Sequence, residues 1–415
     1  MKNTMPTSTR GTLLFVSSRD LTEYGFIGRP HYFIRYLTKK RFRVVLFNSP
    51  QYWKWRSREP SDEYRKFLSP AGVRIINGYP VRARSQVLYE LLNLLPNILL
   101  ILDLVRREKP RCIIIVNPIF GVLLPLFLLR RIPVIFDFED FYPLLVAHGA
   151  TGRARNKILS MLLFSASKII TDLALKVSDA VVACSIGLYD YARRVGAKRV
   201  FFIANGVDVR PTVAIKANLR RKYGLRDEDL VISYVGGIRL LDMDVLTRAV
   251  AKLRASGVRV RVLIAGDGPQ MPEFRRKLEE EGIASCTILL GRVRKEEVTD
   301  VIGAADVCVS FFEQSEAPYL HPLKLMEYLY QCKPVVSTPI YGLERVLGEE
   351  VMSCIVFASN SDEFADAIIK MSRVAETPEF MEKAKKIKSI IESKFNWNEL
   401  SKRFLDVVRL VMRET

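Results

Sequence analysis

The sequence contains few of the residues from which proteins build metal centres and disulfide frameworks. Its 415 residues include three histidines and six cysteines, and no two cysteines form a Cys-x-x-Cys pair. Structural zinc is held by clusters of cysteine and histidine, so we expect no dedicated metal site, although a divalent ion held by a ligand's phosphates fits this composition. Most of the cysteines lie in or beside apolar runs, and we expect them to be reduced core residues. The six are Cys112, Cys184, Cys286, Cys308, Cys332 and Cys354.

Long uninterrupted apolar segments are also scarce. The apolar run within MKNTMPTSTRGTLLFVSS is shorter than the core of a signal peptide, which spans about 7–15 residues, so we expect a cytoplasmic protein. The run from Ile113 to Leu129 has no charge but reaches only the lower limit for a membrane span, and a glycine and two prolines interrupt it. We therefore predict a buried strand, a turn at Asn117-Pro118 and a short packed helix there.

Positive charge is in large excess. Lysine and arginine total 64 against 45 aspartate and glutamate residues, a formal net charge of +19, so the surface should attract phosphates, anionic lipids or nucleic acid. The sequence has no basic cluster interleaved with aromatic residues, no zinc pattern and no RNA-binding sheet signature. We therefore expect no nucleic-acid partner.

The order of apolar and amphipathic segments predicts an α/β protein. Short runs rich in valine and isoleucine alternate with longer amphipathic stretches, which is typical of parallel sheets with crossover helices. About six runs precede a polar and basic segment at Asn205–Asp229 and about five follow it, so we predict two doubly wound domains. The last segment, NWNELSKRFLDVVRLVMRE, is apolar on one helical face and should pack on a domain surface. The predicted ranges are 1–208, 209–395 and 396–415.

Two glycine-containing turns follow strands of the second half, at the edge where doubly wound sheets bind ligands. The first, Gly236-Gly237-Ile238-Arg239, lets the backbone approach a phosphate, and Arg239 could add a charge-assisted bond. The second, Gly266-Asp267-Gly268-Pro269, brings Asp267 to the same edge. Glycines after a strand also simply form turns, so each turn alone is weak evidence for a ligand.

A lysine and a glutamate in HPLKLMEYLYQCKPVVSTP suit a nucleotide diphosphate. Lys324 and Glu327 are three residues apart and so lie on one helix face. The amine can neutralise a phosphate, and the carboxylate can accept hydrogen bonds from the paired hydroxyls of a ribose. By spacing alone, an exposed ion pair of little consequence is the better interpretation. The surrounding sequence decides between the two.

Three segments resemble, in order and separation, the retaining GT-B glycosyltransferases of the large family 4, or group 1, that uses nucleotide sugars. They are DAVVACSIGLYDYARRVGAKRVFFIANGVD, the turn from Gly266 to Pro269, and PLKLMEYLYQCKPVVSTP. The likeness covers about half of the chain. It implies two Rossmann-like domains facing a central cleft, with the donor site in the second domain. The residues that it assigns to donor binding are Gly28, Gly237, Asp267, Gly268, Lys324, Leu325 and Glu327.

One departure from the family pattern concerns the sugar. The family normally has a sugar-contacting glutamate eight positions before the residue that matches Glu327, and this chain has Tyr319 there. Glu313 and Glu316 are close in sequence but out of register. The resemblance therefore leaves the donor sugar open.

A second departure concerns phosphate neutralisation. A basic residue often found on the helix after the glycine-rich loop is replaced by Asp242 or Asp244. Neutralisation of the donor diphosphate would then fall to Arg239 and Lys324.

The first half contains a further glycine-containing loop. TEYGFIGRPH follows the first strand, where the family places a loop against the donor phosphates, and Gly25, Gly28 and Arg29 suit that role. An ordinary turn before a helix is an equally good interpretation. His31 is expected to be a packed or solvated helix residue.

Three carboxylates in FDFEDFYP follow a predicted strand of the first half: Asp137, Glu139 and Asp140. Carboxylates so close together are costly to bury unless they bind something, and like-charge crowding can raise the pKa of one of them. We favour a role in contacting or deprotonating an acceptor hydroxyl, with Asp140 or Glu139 leading. Solvated loop charges are the alternative.

The resemblance implies retaining transfer of a sugar from a nucleotide-diphosphate sugar to a hydroxyl of a glycan or lipid-linked acceptor, in the synthesis of a cell-surface polysaccharide, glycolipid or protein glycan. The hydroxyl attacks the face that the diphosphate leaves, and the departing phosphate oxygen takes the proton. Arg239, Lys324 and the Gly237 N–H would stabilise the leaving group. No cofactor is required, and a divalent cation is optional.

Rival functions share the GT-B fold. A nucleotide-sugar epimerase needs its own acid/base pair and a phosphorylase needs a cofactor lysine, and no residue here is assigned to either role. A non-catalytic nucleotide-sugar-binding partner is the third alternative, which Tyr319 suggests.

A membrane surface is a further expected partner. The segment from Arg82 to Arg111 is an apolar helical stretch with basic flanks, which suits a core helix or attachment to anionic lipids. Such attachment would place the protein peripherally on the cytoplasmic face of a membrane, where polyprenyl-phosphate-linked glycans are presented.

Overall fold

The chain divides into two compact units, Met1–Asn205 with Trp397–Thr415, and Gly206–Asn396. The computed structural model describes residues 9–17, 20–22, 27–49, 67–79, 86–117, 132–151, 157–209, 216–238, 240–268 and 270–413. The divisions lie close to the boundaries expected at residues 208 and 395. The last helix is part of the first unit.

The first unit is built on a parallel sheet whose described strands follow the order β3-β2-β1-β4-β5-β6-β7. β4 and β5 are buried along their whole length, because helices cover the sheet and their side chains are apolar except for Asp137 of β5. The strands are β1 Thr12–Ser17, β2 Arg43–Asn48, β3 Arg74–Asn77, β4 Cys112–Val116, β5 Val134–Phe138, β6 Ala180–Ala183 and β7 Val200–Phe202.

Helices cover both faces of this sheet, because the strand order runs outward in both directions from β1 and β4 and crossovers between parallel strands are right-handed. The final helix contacts the first helix and strands β4, β5 and β6. The others form a second layer in which neighbours contact each other. The described helices are α1 Arg29–Lys39, α2 Gln86–Glu108, α3 Tyr142–Thr151, α4 Lys157–Val177, α5 Ile186–Val195 and, after the second unit, α14 Trp397–Arg413.

The apolar face predicted for the last helix is confirmed. Trp397 stacks on Tyr32 with ring centroids 4.6 Å apart, and Phe404 stacks on Phe33 at 4.2 Å. The predicted residues are all buried: Trp397, Leu400, Phe404, Val407, Val408 and Val411.

The second unit has a parallel sheet of order β10-β9-β8-β11-β12-β13. Its strands are β8 Leu230–Val235, β9 Val260–Ala265, β10 Thr287–Gly291, β11 Val307–Ser310, β12 Val335–Ser337 and β13 Ile355–Phe357. Its described helices are α6 Lys216–Lys222, α7 Leu240–Ala255, α8 Met271–Glu280, α9 Lys295–Ala304, α10 Leu323–Tyr330, α11 Leu343–Leu347, α12 Ser361–Val374 and α13 Pro378–Lys394. The order reverses between β8 and β11, so ligands are expected beyond the carboxyl ends of these two strands.

Two doubly wound α/β units are confirmed. The structure adds β3 and β13, which lie at sheet edges and have four and three residues. Within the predicted segment Ile113–Leu129, the buried strand is present, and Asn117 turns the chain with φ of 60°. Residues 118–131 lie outside the described part of the chain. All six cysteines are free, and five of them are buried.

Candidate active site

The glycine-containing loop after β8 is held by backbone hydrogen bonds from the neighbouring loop after β9. The Gly236 N–H donates to the Ala265 carbonyl at 2.9 Å, and the Ile238 N–H donates to the Asp267 carbonyl at 3.2 Å. Gly236 has φ of 144°, a conformation that favours glycine. The predicted Arg239 lies outside the described residues.

The two loops approach so closely that side chains are excluded between them. A Cβ on Gly266 would lie 1.8 Å from the Gly236 oxygen, and a Cβ on Gly268 would lie 2.4 Å from the Ile238 oxygen. The Asp267 carboxylate accepts a hydrogen bond from the Gly268 N–H at 2.9 Å. Asp267 and Gly268 therefore support the loop after β8 by backbone contacts with Ile238.

We expect Gly266→Ala to destabilise the protein by about 1–3 kcal/mol or more, because the new methyl group overlaps a backbone oxygen that cannot rotate away. Urea denaturation would measure the loss. Gly237→Ala is the matched control, because no atom lies within 4 Å of a Cβ built there. Equal stability of the two variants would contradict this packing.

Lys324 reaches the glycine loop from the first turn of α10. Its Nζ donates to the Tyr234 Oη at 3.0 Å, and that hydroxyl donates to the Gly237 carbonyl at 2.8 Å. The amine also lies 4.2 Å from the centre of the Tyr234 ring and 5.3 Å from that of Phe312. A Cβ on Gly236 would be 2.7 Å from Nζ. The lysine charge is thus fixed beside the loop backbone.

Two tyrosines that the sequence did not single out hold this arrangement. Tyr234 connects Lys324 to Gly237, and Tyr328 is fully buried with its Oη accepting the Val235 N–H at 2.9 Å. A tyrosine near the end of a mainly apolar strand, two residues before the paired glycines, was the available signal for Tyr234. Leu325 is completely buried, so a contribution to a ligand would come from its backbone.

Glu327 lies one helical turn after Lys324 and lines a small cleft with Asp208 and Lys295. The Lys295 Nζ lies 3.4 Å from the Asp208 Oδ2. Burial raises the pKa of Glu327, while Lys295 and Lys324 act in the opposite direction and Asp208 adds to the rise. A carboxylate held in this way is costly to ionise, and favourable donors on a ligand would offset that cost.

We expect Glu327→Gln to gain thermal stability relative to the wild type as pH rises. At pH values below the unfolded-state pKa, Glu327 is protonated in both the folded and the unfolded wild type, so burial of a charge costs no stability. Above the raised folded-state pKa the folded protein carries a buried charge that glutamine lacks. Melting temperatures of both proteins between acidic and neutral pH would test this, and Glu363→Gln is an exposed control. A constant difference at all pH values would contradict it.

A cavity with a volume of about 490 Å³ lies beyond the carboxyl ends of β11, β12 and β13. Its walls come from the segments that follow these strands and from Val245 of α7. Glu313 is the charged residue among its lining residues, which do not include Tyr319. Tyr319 ends a short 3-10 helix, Ala317–Tyr319.

In the first unit, His31 of α1 forms hydrogen bonds with backbone groups of the segment that precedes the helix. The Gly28 N–H donates to His31 Nδ1 at 3.2 Å, and His31 Nε2 hydrogen-bonds the Leu21 carbonyl at 2.7 Å. His31 is therefore a packed helix residue, as expected. The Gly28 N–H is used in this helix cap, and its predicted phosphate contact stays a prediction. Gly25 lies outside the described residues.

Arg29, which suited either a phosphate contact or an ordinary turn before the helix, is held by groups of the protein itself. Its Nε donates to the Asp137 carboxylate at 2.8 Å, and its Nη1 donates to the carbonyls of Ile203 and Ala204. Arg29 and Asp137 are 3% and 0% exposed. Burial raises the pKa of Asp137, and the guanidinium opposes that rise. Asp137 is thus a structural carboxylate within β5.

Glu139 and Asp140 follow the end of β5 and are half-buried at the carboxyl edge of the first sheet. The Cys184 thiol contacts the Glu139 carbonyl at 3.1 Å. These two carboxylates stay candidates for an acceptor site in the first unit. The structure brings Gly237, Asp267, Gly268 and Lys324 together in the second unit, and Glu327 lies one helical turn after Lys324, in the cleft with Asp208 and Lys295.

Comparison with known proteins assigns both units to one group. The family model described as Glycosyltransferase Family 4 matches residues 30–210, and the model described as Glycosyl transferases group 1 matches residues 229–373. Among solved structures, Anabaena HepE in complex with UDP-glucose covers 96% of this chain and 100% of its own, with a TM-score of 0.68 and 15% identity. Sucrose-phosphate synthase from Thermosynechococcus elongatus covers 97% and 100%, with a TM-score of 0.73 and 16% identity.

Curated relatives align over shorter regions. Alpha-D-kanosaminyltransferase of Streptomyces kanamyceticus is 25% identical over 173 residues, which are 41% of this chain and 43% of the relative. D-inositol 3-phosphate glycosyltransferase of Saccharomonospora viridis is 26% identical over 280 residues, 64% of this chain and 61% of the relative. The chain thus spans roughly half the length of these relatives. With matches to both halves and the fold of its structural neighbours, the chain belongs to the group 1 glycosyltransferases with the GT-B fold.

Proposed function

We propose that this protein transfers a sugar from a nucleotide-diphosphate sugar to a hydroxyl of a glycan or lipid-linked acceptor, with retention of anomeric configuration. The observation that carries the proposal is the Lys324 amine, fixed beside the Gly236 and Gly237 backbone one turn before Glu327. A nucleotide sugar bound to the structural neighbour HepE supports the class of donor.

The donor would lie beyond the ends of β8 and β11. Lys324 and the Gly237 N–H would bind the diphosphate, and Glu327 would accept hydrogen bonds from the ribose hydroxyls. As the sugar leaves, charge develops on the bridging phosphate oxygen, and a fixed cation stabilises that charge without reorganising. The same oxygen would take the proton of the attacking hydroxyl, so no protein nucleophile is required. Anomeric NMR of the product would test retention.

We propose that the cavity of about 490 Å³ binds the sugar of the donor and selects among sugars. Its charged lining residue, Glu313, can accept hydrogen bonds from sugar hydroxyls. We therefore assign to Glu313 the sugar contact that the family pattern places at Tyr319. Replacing Glu313 should change the preference among donor sugars more than the affinity for the free nucleotide.

The acceptor would be bound by the first unit, with Glu139 and Asp140 at its hydroxyl. A role in the synthesis of a cell-surface polysaccharide, glycolipid or protein glycan, in the cytoplasm or at the cytoplasmic face of a membrane, follows from the predicted acceptor class. The free cysteines are compatible with a reducing compartment. We propose that no resident cofactor is needed and that a divalent cation, where used, is held by the diphosphate.

A thermal-shift panel of nucleoside diphosphates and nucleotide sugars tests the donor. A ligand that binds the native state alone at 100 times its dissociation constant stabilises it by about 2.7 kcal/mol. Donor hydrolysis by the wild type and by Glu327→Ala tests the site, and we expect loss in the variant. Equal hydrolysis by both proteins would remove this site assignment. Binding without transfer to any acceptor would favour a non-catalytic sugar-binding protein.

A further inference from the structure

The outer face of α4 in the first unit is apolar and exposed. Ile158, Met161, Leu162 and Ile169 are 67%, 63%, 59% and 61% exposed. Leu159 and Leu173 add to the same surface, which continues for about 23 Å along the helix. The charged residues described between Ile158 and Leu173 are Lys168 and Asp172, which are part-buried and pair with each other at 2.7 Å. Isolated exposed leucines are ordinary, but a contiguous apolar surface of this length indicates a binding surface.

A second apolar stripe lies on α2. Leu92, Leu95 and Leu99 are exposed at helical spacing. The crossovers that contain α2 and α4 both run toward the β7 edge, so their common right-handedness places the two helices on the same face of the sheet. The short helix α3 contacts both of them. The two stripes therefore belong to one helical layer of the first unit.

The layer does not cross a membrane, although α4 has the required length. Within the described part of the chain, Ile158–Val177 is a helix long and apolar enough to span a bilayer, with 22% of its apolar window buried. The segment containing α3 and α4 leaves β5 and returns to β6, which pair in parallel. α3 has ten residues, too few for a compensating second span. A helix with one buried and one apolar exposed face in this connection can instead lie in the plane of a membrane surface.

Basic side chains border this apolar surface at one edge. Lys176 at the end of α4 and Arg106 at the end of α2 are exposed, as is Arg107, which pairs with Asp103 at 2.8 Å. Both helices end before a strand begins, so these side chains lie toward the amino-terminal edge of the same sheet. The chain as a whole carries a net charge of +19. Apolar residues next to basic ones fit anionic phospholipids, which offer acyl chains beneath negatively charged headgroups.

We propose that the outer faces of α2 and α4 dock on an anionic lipid bilayer, with their leucine, isoleucine and methionine side chains inserted at the boundary between headgroups and acyl chains. The sequence pointed to the segment of α2, and the structure adds α4 as the larger apolar face. The docking surface is independent of the donor site. It can therefore be tested without nucleotide sugar, and its failure would leave the proposed transfer activity unaffected.

Vesicle flotation of the full chain tests the proposal. We expect the wild type to float with vesicles of equal parts phosphatidylglycerol and phosphatidylcholine and to float poorly with pure phosphatidylcholine or at high salt. The variant Met161→Gln/Leu162→Gln/Ile169→Gln should lose about tenfold or more in partitioning. Leu410→Gln, an exposed position on α14, is the control and should float like the wild type. Equal flotation of the triple variant and the wild type would overturn the proposal.

A second measurement covers the case in which the triple variant misfolds. In Met161→Trp, the emission maximum of the added tryptophan should shift to shorter wavelength when the protein binds mixed vesicles. Brominated lipid should quench this fluorescence. A vesicle-bound Met161→Trp protein with unshifted emission would contradict insertion at α4. A wild type that ignores vesicles but is a dimer in light scattering, and a monomer after the triple substitution, would assign the surface to a second copy instead.

Discussion

Lys324→Met should lower the rate of sugar transfer by about 10²–10³-fold, because it removes a fixed cation from the position where we propose that the leaving diphosphate develops charge. Methionine loses the cation–π contacts with Tyr234 and Phe312 and the hydrogen bond to Tyr234, but it keeps most of the apolar lysine stem, so the protein should stay folded. Steady-state kinetics with the donor identified by thermal shift would measure the loss. A loss in kcat that exceeds the rise in KM would locate the effect in the transition state.

Lys252→Met is the matched control for this substitution. Lys252 lies in the last turn of α7, at the far end of that helix from the glycine loop, and its side chain pairs with exposed Asp362 at 3.0 Å. The charge change is identical, so the control separates a local contact from a change in the overall field. Wild-type turnover by Lys324→Met, or an equal loss in both variants, would contradict the proposed donor site.

The buried ion pair of the first unit predicts the largest change in stability. Arg29→Met should destabilise the protein by about 3–5 kcal/mol, because it leaves the Asp137 carboxylate buried without its cation. Burial raises the pKa of Asp137, so the defect should be smaller at acidic pH, where the carboxyl is protonated, and should grow as pH rises. Urea denaturation at several pH values would show both effects.

A double variant distinguishes charge from packing. Arg29→Met/Asp137→Leu removes both charges, and replacement of a buried pair by apolar side chains often costs little, so it should be more stable than Arg29→Met alone. Arg107→Met is the exposed control: its partner Asp103 is 2.8 Å away, yet Arg107 is 71% exposed, and the effect should stay below about 1 kcal/mol. An Arg29→Met protein as stable as Arg107→Met would refute a structural role for the pair.

Local patterns were sufficient to predict the two sheets and the apolar face of α14. Both follow from short-range periodicity, since burial on two faces demands continuous apolar strands and burial on one face demands helical spacing. The edge strands β3 and β13 were not predicted, because they are only partly buried and so have no continuous apolar run, whereas the equally short β6, β11 and β12 are fully buried.

The candidate site was predicted only in part, for a physical reason. Lys324 and Glu327 lie within one helical turn, so their spacing was visible in the sequence. The contact between Lys324 and Tyr234 joins residues 90 positions apart, and that between Arg29 and Asp137 joins residues 108 apart. No local pattern encodes such contacts. The sequence therefore left Arg29 between a phosphate contact and an ordinary turn, whereas in the fold it pairs with a buried carboxylate.

The position of α14 has a consequence for the order of folding during synthesis. Tyr32 and Phe33 of α1 are covered by Trp397 and Phe404, which the ribosome adds after the whole of the second unit. When synthesis reaches Asn396, the second unit has all of its residues, whereas Tyr32 and Phe33 of the first unit are not yet covered. Domains that fold as they emerge usually do so from the N-terminus. In this chain we expect that the second unit can complete its fold before the first unit, which lacks its final helix until the end of synthesis.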